Sequence, residues 1–343
     1  MPTNNKGRTA AARSCRRGLT LSAVLCLLLV VATGAETAQP GTIAAAPVSP
    51  RDLGPFGSDL ADGVFPRIVR HHNGEAIITA PPRRIAVLST GQLDALLTLG
   101  IVPAGATRVE GGALYAPYLA TRFPQWRVQL DAMADLGTRA NQDIEAIAQL
   151  RPDLILMNNT IIKQDVYDRY ARIAPTVVTR GTGVNWQVDF LLIASAVGRR
   201  QQAQAFLDRF HSDAAGFAAR GQGQAPSVSF PLATAGRTRI FGIASFTGGI
   251  AEELGLARPP SQRFQQTSRD ISPELIDAVD ADWIFYAGRG AAVAELTAAP
   301  LWPTLSAVQA HHAVAVDIDA FYLNAGPTAA REVLDTLMST MAR

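Results

Sequence analysis

Beyond residue 35 the chain has no cysteine; Cys15 and Cys26 are its only two. Disulfides, Cys–zinc sites and thiol nucleophiles are therefore excluded from the remainder. Lysine is nearly absent too, Lys163 being the only one after Lys6. The formal charge of +2 arises in the first 35 residues, which hold five basic side chains and no acidic one. Without them 26 basic residues face 29 acidic ones, and a slightly acidic chain has no electrostatic reason to bind nucleic acid. Common enzyme signatures are missing: there is no Walker P-loop, no G-x-S-x-G elbow and no H-E-x-x-H. Gly181-Thr182-Gly183 opens like a dinucleotide loop, but Trp186 stands where the third glycine is needed, so it reads as a connection. What remains is apolar: 48% of the 343 residues, enough for one large core or two ordinary ones and too many for a disordered chain.

Residues 1–18 are basic and polar, residues 19–31 nearly continuously apolar, and Thr33-Gly34-Ala35 offers a small-x-small cleavage site. That layout predicts a signal peptide over residues 1–35 and an exported, periplasmic protein. The apolar run is shorter than the ~20 residues of a spanning helix. Arg16-Arg17 partly resembles a twin-arginine signal, although an ordinary basic leader is the favoured reading. Cys26 follows Leu25 inside the apolar run, whereas a lipid-attachment site wants a small residue there, so it reads as a leader residue. Residues 36–64, rich in Ala, Pro, Gly, Thr and Ser, read as a flexible linker, with folded structure from Phe65.

The folded part alternates strand and helix. A hairpin is predicted around Asn73-Gly74, strands at Arg84–Leu88, Ile101–Ala104, Asp153–Met157 and Pro175–Thr179, and helices at Gln92–Leu99, Ile144–Leu150 and Val166–Ile173. Residues 187–219 then keep helical spacing, interrupted only near Gly198. Short strands return at Val228–Leu232, Arg239–Ile243, Trp283–Ala287 and Ala313–Asp317, with a closing helix over Thr328–Met341. The reading is α/β: an N-terminal lobe over 65–186, a long rigid connecting helix over 187–220 and a C-terminal lobe over 221–343, both lobes Rossmann-like.

An internal repeat supports two lobes. Residues 143–155 and 270–284 align Glu145 with Glu274, Ile147 with Ile276, Leu150 with Val279, Asp153 with Asp282 and Ile155 with Ile284. In each copy a short helix feeds a buried strand.

Ligands of open α/β sheets gather at the C-terminal ends of strands. The residues predicted there are Ser89, Thr90 and Gln92; Arg108 and Tyr115; Asn158 and Asn159; Trp186; Phe246; Tyr286 and Arg289; and Phe321 with Tyr322. Arg263 and Arg269 join them from a loop without core periodicity. Arginine forks, stacking rings and amides suit a large planar or anionic ligand. The five histidines are two adjacent pairs, His71-His72 and His311-His312, plus His211. The pairs read as solvated turn residues rather than metal ligands, and no metal site is expected.

The opening R-I-A-V-L-x-x-x-x-L-D-A-L-L-x-L-G-I-x-P-x-G, the element E-x-I-x-x-L-x-P-D-L-I and the closing G-P-T-A-A-R-x-V-L-D complete a pattern over residues 65–343. It resembles the helical-backbone periplasmic binding proteins of cluster A-II (class III), in particular the FecB-like iron-siderophore group that feeds ABC transporters. The resemblance implies a ferric siderophore as ligand, held in the inter-lobe cleft of a non-catalytic monomer with no cofactor. It also implies docking of Glu145 and Glu274 onto the transmembrane permease that works with an ATPase. Haem or cobalamin is an alternative ligand of the same fold, zinc or manganese one of a related cluster, and an exported hydrolase an alternative of another class. Haem is expected to need an axial Tyr or His, with Tyr115, Tyr118, Tyr286 and Tyr322 as candidates.

Overall fold

The computed structural model describes residues 52–158, 163–181, 183–221 and 223–341. The expected signal peptide, the first part of the expected linker and Asn159 lie outside the described residues.

In the first lobe β1 (Arg67–His71) and β2 (Gly74–Ile78) form the hairpin, with His71 opposite Gly74. There follow β3 (Ile85–Val87), α1 (Thr90–Thr98), β4 (Gly105–Arg108), α2 (Pro117–Arg122), α3 (Arg127–Asp131), β5 (Ala134–Thr138), α4 (Ile144–Leu150), β6 (Leu154–Asn158), α5 (Gln164–Ala171) and β7 (Thr176–Thr179). Five of these strands pair in the order β5-β4-β3-β6-β7, all parallel. β4 begins just after the predicted Ile101–Ala104, because Pro103 lacks the N–H a ladder needs. β5 was not predicted, and its only large fully buried side chain is Leu136.

The connector is two helices. α6 (Trp186–Val197) ends at Gly198, whose φ of 70° is the left-handed cap a side chain would resist, and α7 (Arg200–Ala218) starts anew. Buried Gln187 joins them: its amide donates to Glu253 at 2.6 Å, and its oxygen lies 2.8 Å from His211 Nε2. His211 is thereby an inter-helix tie.

The second lobe holds β8 (Val228–Ser229), β9 (Pro231–Thr234), β10 (Arg237–Phe241), α8 (Phe246–Glu253), β11 (Ser268–Ile271), β12 (Trp283–Gly288), α9 (Ala292–Thr297), α10 (Ser306–Gln309), β13 (Ala313–Ala315) and α11 (Pro327–Met341). Its sheet runs β11-β10-β9-β12-β13, with β8 also on β12. β10 is antiparallel to both neighbours, so this lobe is mixed where the first is wholly parallel. β8 and β9 are one edge of ladder broken at Phe230-Pro231, and the buried Gln262 side chain accepts the freed Phe230 N–H at 3.3 Å.

The repeat is real in three dimensions. Asp153 accepts the Arg83 and Arg84 backbone N–H groups at 2.8 and 2.9 Å, just before β3. Asp282 accepts that of Ser227 at 2.7 Å, just before β8. Ile147, Ile276, Ile155 and Ile284 are all buried. Each aspartate thus ties its own strand to the one beside it at the end remote from the cleft.

The lobes are not loosely tethered. One apolar cluster runs from Leu93 and Leu96 of α1 through Phe190 and Phe210 to Phe230, Phe285 and Val333. Each such burial contributes ~1.5–3 kcal/mol. A polar seam follows the same boundary: Asn324 donates to Tyr118 Oη at 3.0 Å, and Tyr118 donates to Asp94 at 2.6 Å. Asp94 also accepts the N–H groups of Thr328 and Ala329 at 2.7 and 2.9 Å, so a carboxylate of α1 caps α11. Burial pushes the Asp94 carboxyl up, and these donors pull it back down. At Gly183 a Cβ would stand 2.5 Å from that of Phe246 and 2.8 Å from its backbone nitrogen, so glycine lets the second lobe approach the connector.

The linker expectation is corrected over residues 52–64. The fully buried Arg67 guanidinium donates to the carbonyls of Ala61 (2.7 Å), Val64 (2.8 Å) and Ser195 (2.5 Å). Asp62 accepts the first N–H groups of α7 at 2.8 Å each. Arg67 is a charge buried for carbonyl binding, which the apolar alternation of β1 conceals. His71 is corrected as well: it is buried in β1 rather than solvated, and burial drops its pKa to about 4.

Candidate functional site

Four of the five parallel strands of the first sheet, β3, β5, β6 and β7, bring their C-terminal ends to one cleft of about 360 Å³. Ser89, Thr90 and Gln92 follow β3, Asn158 ends β6, and Thr179 ends β7. The second lobe supplies Phe241, Phe246, Phe321, Tyr322 and Asn324. Trp186 and Phe190 of α6 close the back. Eight predicted residues are therefore brought together: Ser89, Thr90, Gln92, Asn158, Trp186, Phe246, Phe321 and Tyr322.

None of the four predicted arginines lines this cleft. Arg108 is ion-paired with Asp135, β4 to β5. Arg269 lies 4.4 Å over the Phe264 ring, and Arg263 donates to the Arg258 carbonyl at 2.8 Å. Arg289 donates to the Glu110 carbonyl at 3.1 Å, across the lobes. It borders a smaller cavity of about 40 Å³ with Tyr115, whose hydroxyl donates to Asp131. Tyr286 packs edge-on against Trp302 in a satellite core of the second lobe. The reason is common to all: each side chain found a nearer partner in its own lobe or in the loop facing it.

The cation of the cleft is Arg139, one residue past the end of β5. Burial lowers its pKa, no carboxylate raises it, and its guanidinium has no hydrogen-bond partner among the described residues. Sequence reasoning missed it because β5 went unrecognised. Asp189, in the first turn of α6, is the cleft's carboxylate. It accepts the Arg180 and Gly181 N–H groups at 2.8 and 2.9 Å, yet burial outweighs these bonds and lifts its pKa to about 7. Tyr322 donates to the Phe285 and Pro231 carbonyls at 2.5 and 3.2 Å, and burial raises its pKa well above the usual phenol range. Two buried polar atoms of the wall have no partner, Trp186 Nε1 and Gln92 Oε1. The loop at 258–264 proves to be scaffold: Arg258 is buried 4.6 Å over the Phe230 ring and donates to the Phe241 carbonyl at 2.5 Å. Among the described residues no three His, Cys, Asp or Glu side chains converge on a metal-sized site.

An aromatic wall facing a polar floor, between lobes that share a core, is a container built for one sizeable ligand. The family model for periplasmic binding proteins matches residues 85–320. The chain belongs to the periplasmic binding protein family. A probable siderophore-binding lipoprotein of Bacillus subtilis, YfiY, is 31% identical over 288 residues, covering 79% of this binding protein and 86% of the relative. The Fe(3+) dicitrate-binding periplasmic protein FecB of Escherichia coli is 24% identical, covering 78% and 88%. Among solved structures, Staphylococcus aureus SirA complexed with staphyloferrin B superposes with a TM-score of 0.69 at 23% identity, over 80% of this binding protein and 98% of SirA. That likeness confirms the class III, two-lobed α/β fold.

Proposed function

We propose that this binding protein captures a ferric siderophore in the inter-lobe cleft and delivers it to the permease of an ABC importer. The observation that carries the reading is the cleft itself: an unpaired guanidinium, Arg139, opposite Phe241, Phe246, Phe321 and Tyr322. A guanidinium meets chelate oxygens, and the rings cover the organic shell. The names of the relatives, siderophore-binding for YfiY and Fe(3+) dicitrate-binding for FecB, support a ferric chelate as ligand. Haem suits the cleft less well, because among the described residues Tyr322 is the only tyrosine or histidine lining it and its hydroxyl is committed to two carbonyls.

Trp186 is buried in the cleft wall and reports occupancy. Titration of the purified protein with ferric chelates is expected to quench its fluorescence saturably for at least one of them. Quenching by haemin, cobalamin, Zn²⁺ or Mn²⁺ alone would sink the siderophore assignment.

The positions of Glu145 and Glu274 support the docking reading. β5 and β11 are edge strands of the two sheets. Glu145 and Glu274 lie shortly after them, each exposed in the first turn of a short helix and in no ion pair. Ser272 and the backbone hold the Glu274 carboxyl below its ordinary range, so it stays ionised. Two exposed carboxylates, one on each lobe, suit basic residues on a permease. Reversing both charges to Arg should stop cellular uptake while the isolated protein still quenches with its chelate; undiminished uptake would remove the docking role.

A further inference from the structure

The cleft holds charges of both signs, set far apart. Arg139 follows β5 at one edge of the first sheet, and Asp189 sits against the residues that follow β7 at the other. Four strand spacings separate those edges, roughly 19 Å at ~4.8 Å each. The two do not neutralise one another: neither is in an ion pair, and neither perturbs the other's titration. Asp189 is approached by one cation, Arg180, which is exposed and beyond ion-pair distance, and otherwise only by backbone N–H groups. Both side chains line the same cavity. Near the Asp189 side of it, Gln92 gives its amide to Thr179 at 3.1 Å and leaves its Oε1 buried without a donor. That end of the cleft sets two buried acceptor groups, the Asp189 carboxylate and Gln92 Oε1, against one unpartnered donor, Trp186 Nε1, a balance that favours a cation over an anion.

Resting on the siderophore reading, we infer that the ligand is a charge-separated chelate, with its oxygen-rich iron centre at Arg139 and a protonated amine at Asp189. A trianionic chelate fits poorly. It would meet one free guanidinium and press negative charge on a buried carboxylate and an orphaned amide oxygen. A protonated amine instead supplies the donors this wall lacks and a counter-charge for Asp189. The class is an amine-bearing ferric chelate of net charge near zero.

The test compares ferric chelates of different charge, two of them differing only at the amine. The probes are the linear ferric trihydroxamate ferrioxamine B, which carries one free primary amine, its N-acetylated twin, and a trianionic ferric tris-catecholate. All are titrated by fluorescence against the unaltered protein. The amine is expected to bind at least about tenfold more tightly than its acetylated twin, and the tris-catecholate more weakly than both. Asp189→Asn, a change of charge with little change of shape, is expected to narrow the gap between the twins to less than about threefold. Equal or tighter binding of the acetylated twin by the unaltered protein overturns the inference without any variant. A preference for the tris-catecholate overturns it too, while leaving the siderophore reading in place. No binding of any ferric chelate, with haemin or a bare metal ion binding instead, overturns the reading and the inference together.

Discussion

Replacing Asp94 by alanine is expected to cost about 3–5 kcal/mol of stability, the range for breaking a buried, charged hydrogen-bond hub. Three groups lose their acceptor at once: Tyr118 Oη, Thr328 N and Ala329 N. The side chain is fully buried, so water cannot replace it without opening the boundary between α1 and α11. With a typical domain stability of ~5–15 kcal/mol, such a loss is a large share of the whole. In calorimetry it should lower Tm by about 10 °C, at the ~2–4 °C per kcal/mol of domains this large. Asp94→Asn should fall between, because the amide retains one acceptor oxygen. A Tm for the alanine variant within 2 °C of the parent would show that the cap contributes little.

The second large effect falls on binding. Arg139→Met keeps the length and apolar body of the side chain and removes its charge and donors. It is expected to weaken the best-bound ferric chelate by about 2–3 kcal/mol, roughly 30- to 150-fold, as for a charged hydrogen bond lost in a desolvated site. Tm should be unchanged, since the guanidinium holds nothing in the unliganded protein. Arg108→Met and Arg263→Met are the contrasting variants: both guanidiniums are engaged outside the cleft and should leave the chelate's affinity nearly as it was. An Arg139 variant that binds as tightly as the parent would place the ligand's oxygens elsewhere.

These contrasts show where the sequence could be read and where it could not. The strand ends carrying Ser89, Gln92 and Asn158 were legible because strand, turn and helix periodicities are local. So was the 153/282 repeat, since the same short helix must twice feed a buried strand. The arginines were not. A guanidinium on a long stem chooses its partner through tertiary contacts, as Arg108 does with Asp135 and Arg289 with the Glu110 carbonyl. Arg139 was hidden for another reason: Ala-Asp-Leu-Gly-Thr, with one large apolar residue, has too weak a pattern to announce an edge strand. Residues 52–64 lack periodicity altogether. Their order comes from Arg67 and from Asp62 at the start of α7, both acting across distances in the chain that composition does not report.

The cap of α11 also bears on how such a molecule comes to exist. Asp94 and its partners Thr328 and Ala329 are more than 230 positions apart in the chain. The apolar face of α1 rests in part on Ala329, Ala330, Val333 and Leu334 of α11, the last of the described elements. Until those residues emerge, the first lobe is a sheet with one side of its cover missing. Contacts of such long loop closure are slow to form. A chain made only as far as the first lobe is therefore still short of its native state, and whatever machinery meets it then has an interval in which to handle it unfolded.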